Sequence, residues 1–206
     1  MSREAAAKRR EGNEIEFSRI VAFSDGVFSI AITLLVLNLL VKPGFPHKDL
    51  AHELWAQHEN LLAYAISFAV IGRFWLVHHR FFGEVTAFDS KLIALNMLYL
   101  GWIVLIPFSS SLLGDYGGVT ISVVIYAVNL SAVILVGLWM TADARRAGLT
   151  RVDAVAAQES VVRSTYIASV FLLSIPVAIV APTVAQLMWI VLFFDPTARI
   201  VARVRA

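Results

Sequence analysis

The chain has 206 residues, 59% of them hydrophobic and only 16% charged, where soluble domains carry about 45–50% and about 25%. One soluble core cannot hide that much apolar surface, so its solvent is lipid. The net charge of +2, with basic residues gathered at segment ends, excludes a nucleic-acid surface, and the absence of cysteine excludes disulfides, thiolate metal sites and cysteine nucleophiles.

Residues 1–18 contain no apolar run behind their charges and read as a polar cytoplasmic arm, not a cleaved signal. Residues 19–206 read as a single transmembrane domain. A spanning helix needs about 20 mostly apolar residues, and the sequence predicts spans at 20–41, 59–79, 92–113, 118–141, 161–181 and 183–198. The fold class is therefore all-α, an integral membrane bundle of six transmembrane helices. Ala181-Pro182-Thr183 has to form a very tight turn between the last two. Pro107 and Pro176 should kink the third and fifth, and Ser109, Ser110 and Ser111 can recover some of the freed backbone bonds.

Basic residues orient the bundle. Arg3, Lys8, Arg9, Arg10, Arg19, Arg80, Lys91, Arg145, Arg146, Arg151, Arg163, Arg199, Arg203 and Arg205 share one side if there are six spans, and only Lys42 and Lys48 lie on the other. Both termini are then cytoplasmic. Arg73 falls inside a span. The outer loop 42–58 holds His47, Asp49, His52 and Glu53, read as solvated groups.

The first span reads RIVAFSDGVFSIAITLLVLNLL from Arg19. An acid in a membrane helix is costly and needs a partner, which marks Asp25. At about 100° per residue, Ile30, Leu34, Leu37 and Val41 form one stripe with Thr33 beside it, and Asp25 points about 140° away from it. Periodicity alone leaves that stripe as lipid contact, core or pore lining.

The string Arg19, Phe23, Ser24, Asp25, followed by GVFSIAITLLVL, resembles the first-helix signature of the bacterial homologues of the endolysosomal potassium channel. RFWLVHHRFF in the second span and LNMLYLGWIVLIPFSSSLLGDYG in the third extend the resemblance; beyond about residue 118 only the hydropathy plan agrees. The resemblance implies a homotetramer in a bacterial cell membrane. The four first helices would surround a pore for monovalent cations, selective for potassium, with no cofactor beyond the permeant ion. The constriction, carried over by position, is Ile30, Leu34 and Leu37 with Thr33. A TVGYG filter is absent from the family and from this sequence alike. The resemblance also implies a polar network joining Arg19, Phe23, Ser24 and Asp25 to His78, His79, Asn96 and Trp75, in which we expect Asp25 to bond His78 or His79. A gating or proton-sensing role for these histidines is the rival reading of the network. A metal site there is disfavoured, because adjacent helical residues diverge by about 100°.

An enzyme reading finds no phosphate loop, metal cluster or paired carboxylates. A secondary transporter, the stronger rival, usually shows inverted repeats around a midplane polar site, and no repeat is visible here. A non-conducting membrane assembly protein is the third reading.

Overall fold

A computed structural model describes residues 3–39, 52, 54–55, 57–151 and 153–193. Val41, most of the outer loop, residues 194–198 of the sixth predicted span and the C-terminal arginines lie outside the described residues. Among those described, the chain is helical, with a single isolated bridge between Val85 and Thr150.

Helix α1 spans Arg3–Leu34 and tightens into a 3-10 turn over Leu35–Asn38. No break separates the polar arm from the first span, as the run of alanine, glutamate, lysine and arginine, all strong helix formers, would favour. Helix α2 spans His58–Gly83. Asp89 caps α3 (Ser90–Val104) by accepting from the Leu92 N–H at 2.7 Å. The third span then breaks at Leu105 and resumes as α4, Ile106–Asp115. Pro107 causes the break, because it has no N–H to donate and its ring crowds the preceding turn. Helix α5 spans Thr120–Arg146 and α6 spans Ala154–Val180, the latter staying helical through Pro176. Only Ala181 separates α6 from α7 (Pro182–Met188), which continues as a 3-10 turn over Trp189–Phe193. The tight turn expected at Pro182 is present.

Among the described residues five of these segments are long and apolar enough to cross a membrane, with α3 and α4 counted as one; Pro182–Leu192, overlapping the sixth predicted span, is a shorter apolar helix. At 1.5 Å per residue, 26 or 27 residues extend about 40 Å, ample for a bilayer core. Layering follows from burial. Helix α5 lies deepest, packed on α3, α4 and α6, while α1 rests in the groove between α2 and α3. The main core gathers Phe28, Ile71, Tyr99, Ile103, Tyr126 and Leu130. A second core around Phe81, Phe82, Leu92 and Met140 closes the basic end, where Phe17 of α1 stacks between Phe82 and Phe88.

Two loops at that end are joined to each other. Thr86 N–H donates to the Leu149 carbonyl at 2.8 Å and Arg151 N–H to the Glu84 carbonyl at 2.9 Å. Lys91 pairs with Asp143 across the same junction. The turn after α5 rests on Gly148, whose φ of 69° suits a residue without Cβ.

Candidate functional site

Helix α1 has two unlike faces. Ser24, Phe28, Ala31 and Leu35 follow the helical repeat, and all are at most 1% exposed against their own bundle. On the other side Ile30 is 60% exposed, Leu34 38% and Leu37 57%, and Thr33 is exposed beside them. Apolar side chains on that side have no partner surface among the described residues. The 3-10 turn refines the stripe read from the sequence. Side chains three apart eclipse one another in that geometry, so Leu37 stands nearly in line above Leu34, rather than drifting round the helix. Thr33 Oγ1 donates its hydrogen to the Ile30 carbonyl at 2.9 Å, which leaves the oxygen lone pairs free to accept.

What sets the rotation of α1 is a pair of bonds made by consecutive residues. Ser24 Oγ accepts from Asn96 Nδ2 of α3 at 3.0 Å and donates to the Ile20 carbonyl at 2.9 Å. Asp25 Oδ1 accepts from Trp75 Nε1 of α2 at 2.8 Å. Neighbouring helical residues diverge by about 100°, so the two bonds pull on α1 from two directions. Together they leave it one azimuth, with the Ile30, Leu34 and Leu37 edge turned outward.

Asn96 carries the network one step deeper. Its Nδ2 is committed to Ser24, so its Oδ1 is the acceptor for His78 Nε2–H at 2.8 Å. The His78 ring lies between Phe82, at 4.5 Å between centroids, and Tyr99, at 5.6 Å, with the edge of Phe28 at 5.3 Å. His78 Nδ1 has no hydrogen-bond partner among the described residues.

The expected network is therefore corrected in two respects. Asp25 bonds Trp75 and neither histidine. His78 lies one turn beyond Trp75 on the same face of α2, and it is Ser24 and Asn96, on the core-facing side, that lead to it. Arg19, Phe23 and His79 make no hydrogen bond in this network. Phe23 precedes Ser24 and turns away in the sense opposite to Asp25. It is 55% exposed, and with Arg19 it continues the open face of α1 toward the basic end. There Glu16, Arg19, Ile20, Phe23 and Met97 border a shallow depression. His79 is exposed and packs its ring on Trp75 at 5.4 Å.

A second polar cluster had no forewarning beyond the serine run. Ser67 Oγ of α2 donates to Ser110 Oγ of α4 at 2.8 Å and lies 3.1 Å from the Tyr126 hydroxyl of α5. Asn129 Nδ2 donates to Ser109 Oγ at 3.0 Å. Ser110 and Ser109 also donate to the carbonyls of Ala63 and Ile106 at 3.3 and 3.1 Å, the latter next to the Leu105 break. Among the described residues no group of three or more His, Cys, Asp or Glu is placed to hold a metal.

A polytopic, all-helical membrane protein with its first helix pinned by a Ser-Asp pair is the class this arrangement defines. Comparison with known proteins places it further. The profile described as endosomal/lysosomal potassium channel TMEM175 matches residues 19–107. A potassium channel of Streptomyces collinus is 43% identical over 101 residues, covering 49% of either chain, so the match spans about half of that relative's length. A potassium channel of Chamaesiphon minutus is 37% identical over 159 residues, 69% of this chain and 77% of that one. The crystal structure of a lysosomal potassium-selective channel TMEM175 homolog from Chamaesiphon minutus superposes with a TM-score of 0.69 and 29% identity, covering 93% of this chain and 99% of the other. The chain belongs to the TMEM175 family.

Proposed function

We propose that four copies of this chain form a cation channel, modestly selective for potassium over sodium, in the cell membrane of a bacterium. Both termini lie on the cytoplasmic side, the side that holds the basic loops. One helix per copy cannot enclose a path, so the open face of α1 meets its symmetry mates around an axis. The observation that carries this reading is the division of α1 into a buried face and an exposed Ile30, Leu34 and Leu37 edge whose azimuth is set by Ser24 and Asp25. The potassium channels named among its relatives support it.

An apolar ring makes an ion shed part of its water. Sodium holds water more strongly, so its penalty is larger, and the lone pairs of Thr33 return part of the cost to either ion. A tenfold preference needs only about 1.4 kcal/mol of difference. When the ring dewets it also closes, so gate and selectivity element coincide. The network of Ser24, Asp25, Trp75, His78 and Asn96 holds α1 in register and is not itself the conducting path.

The test is potassium and sodium flux in liposomes containing the purified chain. Ile30→Asn should wet the constriction, raise total flux and reduce the potassium preference toward unity; Leu34→Ala should shift it in the same direction by less. Unchanged ion preference in both variants would sink the assignment of the constriction. Ion movement stoichiometrically coupled to a second solute would instead identify a transporter.

A further inference from the structure

We propose that the basic end of α5, with the apolar strip above it, is a docking site for an anionic phospholipid. Between Thr120 and Ala144 the exposed residues of α5 are Ile121, Val128, Leu135 and Trp139 alone. Their spacings of seven, seven and four put them within about 20° of one azimuth, and Arg146, seven residues past Trp139, falls on the same line. The strip is thus narrow, apolar and continuous with a charge. Val128 to Trp139 rises about 17 Å at 1.5 Å per residue, close to the depth of one leaflet's acyl chains, and an exposed tryptophan at the lower end suits the boundary with the headgroups.

The headgroup end is built from Arg145, Arg146 and Arg151, all exposed. The acids nearby turn a carboxylate oxygen toward other partners than these arginines, with the exception of Glu84. Asp143 pairs with Lys91. Asp89 and Asp153 cap α3 and α6, accepting from Leu92 and Ala156 N–H at 2.7 Å each. Glu84 alone among these acids has an exposed carboxylate without such an engagement, and its backbone carbonyl receives Arg151 N–H. Three exposed guanidiniums gathered at one turn suit a phosphate, which their planar forks can grip in two places at once.

The platform is also stiff. Gly148 N–H donates to the Arg145 carbonyl at 3.1 Å, Leu149 N–H to the Ala144 carbonyl at 2.9 Å, and the neighbouring loop holds the turn at Leu149 and Arg151. A ligand there meets a turn whose backbone is already fixed, with three arginine side chains rooted on it. The face belongs to the helix most enclosed by its own chain, packed on α3, α4 and α6. The inference needs membrane insertion but not ion conduction.

The test uses the full chain reconstituted in mixed phosphatidylcholine and phosphatidylglycerol, with the lipid retained after extraction counted by native mass spectrometry. Phosphatidylglycerol should be retained over phosphatidylcholine. Each arginine changed to glutamine should lower that retention about fivefold, the equivalent of about 1 kcal/mol per basic residue at a membrane surface. Excess inorganic phosphate should not displace the lipid. Equal retention of both lipids, or an Arg145→Gln, Arg146→Gln, Arg151→Gln variant that keeps its phosphatidylglycerol, overturns the site. So does full displacement by inorganic phosphate, which would make it an ion site, or a change of oligomeric size without a change in lipid, which would make it a contact between copies. If the triple glutamine variant does not fold, the three single glutamine variants decide, and undiminished phosphatidylglycerol retention in all three counts against the proposal.

Discussion

Two buried polar clusters among the described residues differ in what they hold. The one toward the basic end joins Ser24 and Asp25 of α1 to Trp75 and His78 of α2 and Asn96 of α3. The one toward the other end joins Ser67 of α2, Ser109 and Ser110 of α4, and Tyr126 and Asn129 of α5, with no side chain from α1. Both satisfy polar groups that lipid cannot. Only the first sets the rotation of the helix that carries the exposed Ile30, Leu34 and Leu37 edge. Hydrogen bonds of similar length can therefore serve orientation in one half of a bundle and plain cohesion in the other.

The largest effect should come from Asn96→Leu, which removes the residue that both clamps Ser24 and receives His78. Two interhelical bonds vanish and the His78 Nε2–H is stranded among aromatic rings. We expect a loss of about 2 kcal/mol, since single interhelical bonds in membranes average about 0.6 and reach about 1.7 kcal/mol. Thermal unfolding of the purified chain measures it, and ion preference measured in parallel should change. Trp75→Phe comes next. It keeps the ring against His79 but takes the donor from Asp25, at about 1 kcal/mol. Because it frees one of the two bonds that aim α1, its effect on ion preference should exceed what so small a stability loss suggests. A Trp75→Phe protein with unaltered preference would mean that Ser24 alone sets the azimuth.

The contrast also explains what could be read from the amino-acid string. The first cluster announces itself because a membrane acid, Asp25, demands a partner, and because the first-helix string around Ser24 and Asp25 resembles a known signature. Choosing that partner failed. Trp75 and His78 are three apart on one face, and which of them lies level with Asp25 depends on how deep α1 is set against α2. Helical periodicity carries no information on that depth. The second cluster links residues 43 and 59 positions apart, and a serine run just after a proline break looks the same whether it serves the backbone or a neighbour. The turn at Ala181 was legible because Pro182 cannot continue a helix without cost. The 3-10 turn at Leu35–Asn38 had no such marker, yet it decides how Leu37 stands over Leu34.

Tyr126→Phe sharpens the comparison from the other side and should have the smallest effect. The tyrosine ring packs on Trp189 at 5.4 Å and is fully buried in the main core, so phenylalanine keeps its volume and contacts. Only the hydroxyl near Ser67 is lost, and Ser67 retains Ser110 at 2.8 Å. A cost of about 0.5 kcal/mol is expected, read as a small fall in the melting temperature. Since no atom of this cluster touches the bonds that aim α1, potassium and sodium flux should be unaltered. If Tyr126→Phe shifts ion preference as far as Trp75→Phe does, orientation of α1 is not confined to the Ser-Asp end, and the two clusters act as one unit through α2.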